Sequence, residues 1–384
     1  MLRDFGFFFP TRIRFGPGVR RELAPYLKSR GVARALVISD EGLARAGVLA
    51  QGLGPLKADG LVLEVFTAVP TNPGVDCVEA ALAVAAACRP EAVVSLGGGS
   101  PIDVGKAVAL LLTNGGPLSR YQWDGEAPRA SACLHVAVPT TAGTGTEVTR
   151  TTVIVDRGTK KGIVSDALFP AAAFIDPELM LTMPAGLTAA TGADALAHAI
   201  EAYVGKGINP ITAALAREAV RLIWSALRPA CADGSDLEAR SRMALGSTLA
   251  GIAMDQSGLG IIHSLSGPLS AWYGVHHGLS NAIFLAEAMR FNVPAAVQAM
   301  AELAQAMDLP VTGVPAEAAG LMAAEAVGRL CEELGVGELK GHGPFDAAAI
   351  ERMAEAAAAM FLARNNPRPV TAADCRELYL KTLR

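Results

Sequence analysis

A chain of 384 residues, 51% hydrophobic and only 18% charged, has the length for two buried cores and is too apolar for a disordered or nucleic-acid-coating protein. Its formal net charge of −4 offers no basic surface to a phosphodiester backbone. Apolar runs such as "AVALLL" at 107–112 fall far below the ~18 residues of a membrane span.

The opening "FGFFFP" is too short for a signal-peptide core. The six cysteines (Cys77, Cys88, Cys133, Cys231, Cys331, Cys375) are scattered without a CxxC. They read as reduced, mostly buried thiols of a cytoplasmic protein. In chain order, "RALVIS" (34–39), "LVLEVF" (61–66), "AVVSL" (92–96) and "LHVAVP" (134–139) are short, largely apolar strands. Alanine-rich stretches of helical spacing such as "GVDCVEAALAVAAACRP" separate several of them. This alternation predicts a parallel sheet covered on both faces. "TTVIVD" (151–156) and "AAFID" (172–176) read as a further strand pair. From about Met183 only helical segments follow, among them 209–228, 236–255, 258–272 and 277–291. The expected organisation is an α/β nucleotide-type domain over residues 1–183 and an all-helical domain over 184–384, with a cleft between them.

"AVVSLGGGSPIDVGKAVALLL" (92–112) takes a buried strand through Gly97, Gly98, Gly99 and Ser100 into a helix whose first turn carries Pro101. Glycines let a ligand approach the backbone, and a helix start presents unpaired N–H groups with the positive end of its dipole. Together they form a pyrophosphate cradle. The motif is neither G-x-G-x-x-G nor a P-loop. Asp40, ending the "RALVIS" strand, reads equally as a turn former and as an acceptor for the ribose hydroxyls of a dinucleotide. "PTTAGTGTEVT" (139–149) sets Thr140, Thr141, Thr144, Thr146 and Thr149 around two glycines directly after a strand, a density of small hydroxyls suited to a polar ligand.

In "TGADALAHAIEAYVG" (191–205), Asp194 and His198 are four residues apart and so share one helix face. They form either a solvated surface pair or an inward-facing one that holds something. With His135 and His342 set aside, the remaining histidines are His263, in the apolar "GLGIIHSLSGPLSAWY", and His276–His277, where "VHHGLSNAIF" begins. Each histidine alone reads as a hydrogen-bonded core residue. Jointly, one carboxylate and three imidazoles suit a divalent cation.

"GGGSPIDVGKA", "PTTAGTGTEVT", "TGADALAHAIEAYV" and "GVHHGLSNA" resemble the signature segments of the iron-containing (group III) alcohol dehydrogenases, and "FFFPTRIRFGPG" and "NNPRPVT" extend the resemblance over essentially the whole chain. The resemblance implies an N-terminal α/β dinucleotide domain, a helical C-terminal domain, the two-domain plan shared with dehydroquinate synthase, and a homodimer. It places catalytic Fe²⁺, with Zn²⁺ or another divalent cation as alternatives, on Asp194, His198, His263 and His277. It puts cofactor contacts on Asp40, Asn72, Gly98, Gly99, Ser100, Thr140, Thr141 and Thr144, and further on Asp103, Thr149 and Lys161.

The implied chemistry is hydride transfer between a small primary alcohol or diol and NAD, with the cation as Lewis acid. The charge of Asp40 disfavours the 2′-phosphate of NADP. Many family members carry a second histidine where this chain has Gly267, which predicts a larger pocket there; Met254, Leu259 and Leu362 are its other candidate walls. Arg150 keeps a hydroxyacid substrate open, and His276 reads as a solvent-facing neighbour or a proton relay. The rival readings are a metal-free maleylacetate-reductase-like enzyme and a non-catalytic binding protein.

Overall fold

A computed structural model describes residues 4–123, 125–339, 343 and 345–383. By contacts the chain forms two units, Phe9–Thr182 and Met183 onward, the second joined by the described residues up to Phe8. His342 lies outside the described residues.

In the first unit, strands β1 (Arg12–Phe15), β2 (Arg34–Ile38), β3 (Val62–Phe66), β4 (Ala92–Gly97), β5 (Leu134–Pro139) and β8 (Ala172–Ile175) build one sheet in the order β1-β8-β5-β4-β2-β3. Every pairing in it is parallel. Helices α1 (Leu23–Ser29), α2 (Glu41–Arg45), α3 (Val48–Ala58), α4 (Val75–Cys88) and α5 (Gly99–Asn114) connect the strands.

Continuous apolar strands follow from burial of both sheet faces. Along β2, Ala35 and Val37 join one core with Leu53 and Leu56 of α3. Leu36 and Ile38 join the other, with Val78 of α4 and Val104 and Val108 of α5.

The expected pairing of 151–156 with 172–176 does not form. β6 (Thr151–Asp156) pairs antiparallel with β7 (Thr159–Val164), while β8 enters the main sheet. The turn between β6 and β7 has Arg157 at φ 50° and Gly158 at φ 76°, the left-handed pair that a two-residue hairpin requires. β6 is buried mainly on alternate residues, whereas all four residues of β8 are buried.

The second unit is helical: α6 (Ala185–Val204), α7 (Pro210–Ala232), α8 (Leu237–Ser257), α9 (Ile261–Tyr273), α10 (His277–Asn292), α11 (Val297–Ala306), α12 (Ala316–Glu333), α13 (Ala347–Ala359) and α14 (Ala372–Thr382). From Thr188 to Val204, α6 is buried on every face, so any polar group along it must find a protein or ligand partner. No described helix is long and apolar enough to cross a membrane. All six cysteines are free, but only Cys77, Cys331 and Cys375 are buried, so the thiols are half-buried as a set rather than mostly buried.

Candidate active site

Two clusters of polar groups stand out, one in each unit. In the α/β unit, the carboxyl ends of the neighbouring strands β3, β2, β4 and β5 lead into Asn72, Asp40, the Gly98–Ser100 turn and the threonine loop. That edge of an open parallel sheet is where ligands bind. Gly98 caps α5 and Gly99 begins it. A Cβ on Gly98 would lie 3.2 Å from Thr141 Oγ1, and one on Gly99 would lie 2.9 Å from Thr144 Cγ2. The threonine loop therefore lies directly over the helix start, and a side chain at Gly99 would force Thr144 to shift while one at Gly98 would crowd Thr141. Thr140 Oγ1 is buried without a protein partner, as a ligand-facing hydroxyl would be. Asn72 holds a left-handed backbone, φ 54°, beyond β3. Asp40 is the N-cap of α2, its Oδ1 accepting from Leu43 N at 2.9 Å, so the turn-former reading holds at least in part.

The remaining expected cofactor residues are engaged by the protein itself. Asp103 accepts from Thr146 Oγ1 at 2.8 Å and from Val153 N at 3.3 Å. Burial pushes its pKa up to about 6 despite nearby Lys106. Lys161 pairs with Asp156 at 2.7 Å. Thr149 offers both its carbonyl and its hydroxyl to Lys106, whose Nζ donates at 2.7 and 3.1 Å. Lys106, a lysine in the apolar run "GKAVALLL", was not among the sequence candidates. It is buried and ties α5 to the threonine loop and to the start of β6.

In the helical unit, Asp194 and His198 do point inward. His198 Nε2 lies 3.6 Å, His263 Nε2 3.7 Å and His277 Nε2 4.0 Å from Asp194 Oδ1. Donor atoms of Asp194, His263 and His277 all fall within 4.8 Å of one another. The rings of His198 and His263 stack at 4.7 Å. Close helix approach brings these residues together. Gly278, next to His277, sits so near α6 that a Cβ there would lie 2.4 Å from Ala190 O. Burial opposes charge on Asp194, yet the imidazoles of His198, His277 and His263 outweigh it and hold its carboxyl well below the usual range.

Glu201 is a member that sequence reasoning missed, although it lies seven residues beyond Asp194 on the same stripe of α6. Its Oε2 accepts from His263 Nδ1 at 2.7 Å and its Oε1 from Ile262 N at 2.6 Å. This fixes the ring with Nε2 turned toward Asp194. Burial would lower the pKa of His263, but Glu201 and Asp194 raise it to about 9. Glu201→Gln, which can still hydrogen-bond but carries no charge, is expected to weaken divalent-metal affinity by about tenfold or more. Chelator competition on the purified protein measures this.

Met254, Leu259 and Leu362 are all partly buried. The space beside Gly267 is not open: a Cβ there would lie 2.9 Å from Met360 Sδ, so a flexible thioether fills the expected enlargement. Arg150 is paired with Asp166 at 3.1 Å, and His276 is exposed. His135 is bonded to Ser95 at 2.9 Å inside the α/β core.

Residues 10–177 match the family model for iron-containing alcohol dehydrogenase, and residues 188–383 match the C-terminal model of the same family. The chain is similar to the NAD-dependent methanol dehydrogenase of Bacillus methanolicus, 35% identical over 98% of this chain and 99% of that protein. It is 38% identical to the 1,3-propanediol dehydrogenase of Klebsiella pneumoniae over 87% of each. The crystal structure of a 1,3-propanediol oxidoreductase superposes with a TM-score of 0.94 at 35% identity, covering 99% of this chain and 100% of that one.

Proposed function

Because the chain belongs to the iron-containing alcohol dehydrogenase family and is an NAD-dependent alcohol dehydrogenase, we propose that Asp194, His198, His263 and His277 hold its divalent cation and that small primary alcohols or diols are its substrates. The observation that carries this reading is the convergence of one ionised carboxylate and three imidazoles, with donor atoms of Asp194, His263 and His277 within 4.8 Å of one another. The donor chemistry fits Fe²⁺ or Zn²⁺. The helix start at Gly98–Ser100 and the unpartnered Thr140 hydroxyl fit a dinucleotide.

When bound, the cation supplies Lewis acidity toward an alcohol or aldehyde oxygen and the nicotinamide supplies hydride exchange. The chain's own residues prepare the two sites. Asp194 contributes the negative charge among the imidazoles, and Glu201 holds His263 in one orientation. His277, 37% exposed at its side chain, leaves the cluster reachable from that side. In the α/β unit, the α5 N–H groups receive the pyrophosphate, and Asp40 and Asn72 receive the adenosine side. A cytoplasmic homodimer belongs to the same proposal; Val153 and Val164, both exposed on the β6–β7 hairpin, are apolar surface for a second copy to cover.

Engagement of Arg150 by Asp166 favours uncharged substrates over hydroxyacids. The test is NADH formation by metal-reconstituted protein over C2–C4 alcohols, diols and 4-hydroxybutyrate. Primary alcohols and diols are expected to lead; a lead by the hydroxyacid would reverse the substrate assignment.

Asp40 also sets the cofactor. Asp40→Gly is expected to lower the NAD-over-NADP ratio of kcat/KM by about tenfold or more by removing repulsion of the 2′-phosphate. Loss of the α2 cap costs only a few tenths of a kcal/mol when the replacement is glycine. Steady-state kinetics with both cofactors measure the ratio.

A further inference from the structure

From its contacts with the ligand cluster, we infer that Asn281 is a positioning residue of the metal centre, setting its affinity by gathering three of the four ligands before a cation enters. The inference rests on the metal reading above.

Asn281 lies on α10 one turn beyond His277 and is fully buried. Its Nδ2 donates to Asp194 Oδ1 at 2.6 Å, and the same nitrogen lies 3.0 Å from His263 Nε2 and 3.3 Å from His277 Nε2. One amide nitrogen thus bridges side chains from α6, α9 and α10. At the other end of the carboxamide, Oδ1 is buried with no hydrogen-bond partner. Buried carbonyl oxygens are nearly always paired. Turning the amide over would set Oδ1 against the Asp194 oxygen that Nδ2 now satisfies. The ligand cluster therefore dictates the orientation of this side chain, and no second structural bond competes for it.

A side chain in this role fixes the relative positions of the carboxylate oxygen and the imidazole nitrogens. Partners of metal ligands are typically worth 10–100-fold in metal affinity. Asn281 is not itself assigned as a ligand, and its effect is read in metal binding and not only in turnover.

The experiment is a Zn²⁺ titration of metal-free full-length protein in competition with a chromophoric chelator. Wild type, Asn281→Leu and Asn281→Ser are compared, with thermal unfolding of each metal-free form alongside. Leucine keeps the branched shape without a donor; serine ends short of the ligand atoms and serves if the leucine variant does not fold. Both variants are expected to raise the Zn²⁺ Kd by about 10–100-fold relative to wild type. A lower Tm with an unchanged Kd would reduce Asn281 to a packing role and overturn the inference. Tighter Zn²⁺ binding would also overturn it, because the amide would then be competing with the cation. If wild type itself takes up no Zn²⁺ or Fe²⁺, the metal reading fails; normal wild-type uptake with unchanged variants removes only the role of Asn281.

Discussion

His263→Ala is expected to lower kcat/KM for alcohol oxidation by about three orders of magnitude, with the fold retained. The substitution removes one of the three imidazoles around Asp194 and leaves Glu201 without the ring it orients. Lewis-acid stabilisation by a bound cation is worth several kcal/mol in the transition state, and each 1.36 kcal/mol is tenfold in rate. Alanine has the highest helix propensity, so α9 itself has no reason to unwind. Circular dichroism and size-exclusion profiles matching wild type, together with activity that added metal does not restore, are the expected results. Activity at wild-type level would remove His263 from the site.

The second large effect is expected in the other unit. Lys106 is 1% exposed, and its Nζ donates to Thr149 O and Thr151 O at 2.7 Å and to the hydroxyls of Thr146 and Thr149 at 3.1 Å. Lys106→Met preserves the unbranched stem and removes the donor, leaving buried carbonyls without a partner at about 1–3 kcal/mol each. The α/β unit is expected to lose about 2–5 kcal/mol, seen as an earlier denaturant transition. Because the threonine loop covers Gly98 and Gly99, the NADH dissociation constant should rise by about tenfold or more if positioning of that loop is worth as little as 1.4 kcal/mol. Metal uptake by the helical unit should not change. An unaltered denaturant transition would mean that solvent satisfies those carbonyls in place of the ammonium.

Much of this was legible from residues alone, for reasons that differ between the two units. The parallel sheet could be read because both of its faces are buried, which writes unbroken apolar runs into β2 and β4. The glycine-lined start of α5 could be read because the strand runs through three consecutive glycines into a helix with proline in its first turn. The Asp194–His198 pair could be read because helical spacing fixes which residues share a face.

What could not be read depended on contacts between elements. "TTVIVD" and "AAFID" have similar composition, yet one is in a hairpin and the other in the main sheet. The local signals that separate them are the Arg157–Gly158 turn directly after the first and the unbroken burial of the second, and the pairing itself depends on elements distant in sequence. Spacing could not show that His263 and His277 meet Asp194, because their approach depends on how α9 and α10 pack on α6. The same packing hid Glu201 and Asn281, whose roles appear only once His263 is in place. The density of hydroxyls in the threonine loop suggests a polar ligand. Two of its hydroxyls, those of Thr146 and Thr149, instead answer the buried ammonium of Lys106, a demand visible only in three dimensions.

The central claim is that alcohol oxidation by this chain requires a divalent cation held by Asp194, His198, His263 and His277. The measurement that meets it most directly is NAD reduction as a function of metal content, starting from chelator-stripped protein and adding Fe²⁺ or Zn²⁺ in steps. The account predicts negligible activity in the stripped protein and a rise in proportion to occupancy that levels off at one ion per chain. Full activity in the stripped protein, with metal content verified as negligible, would contradict it.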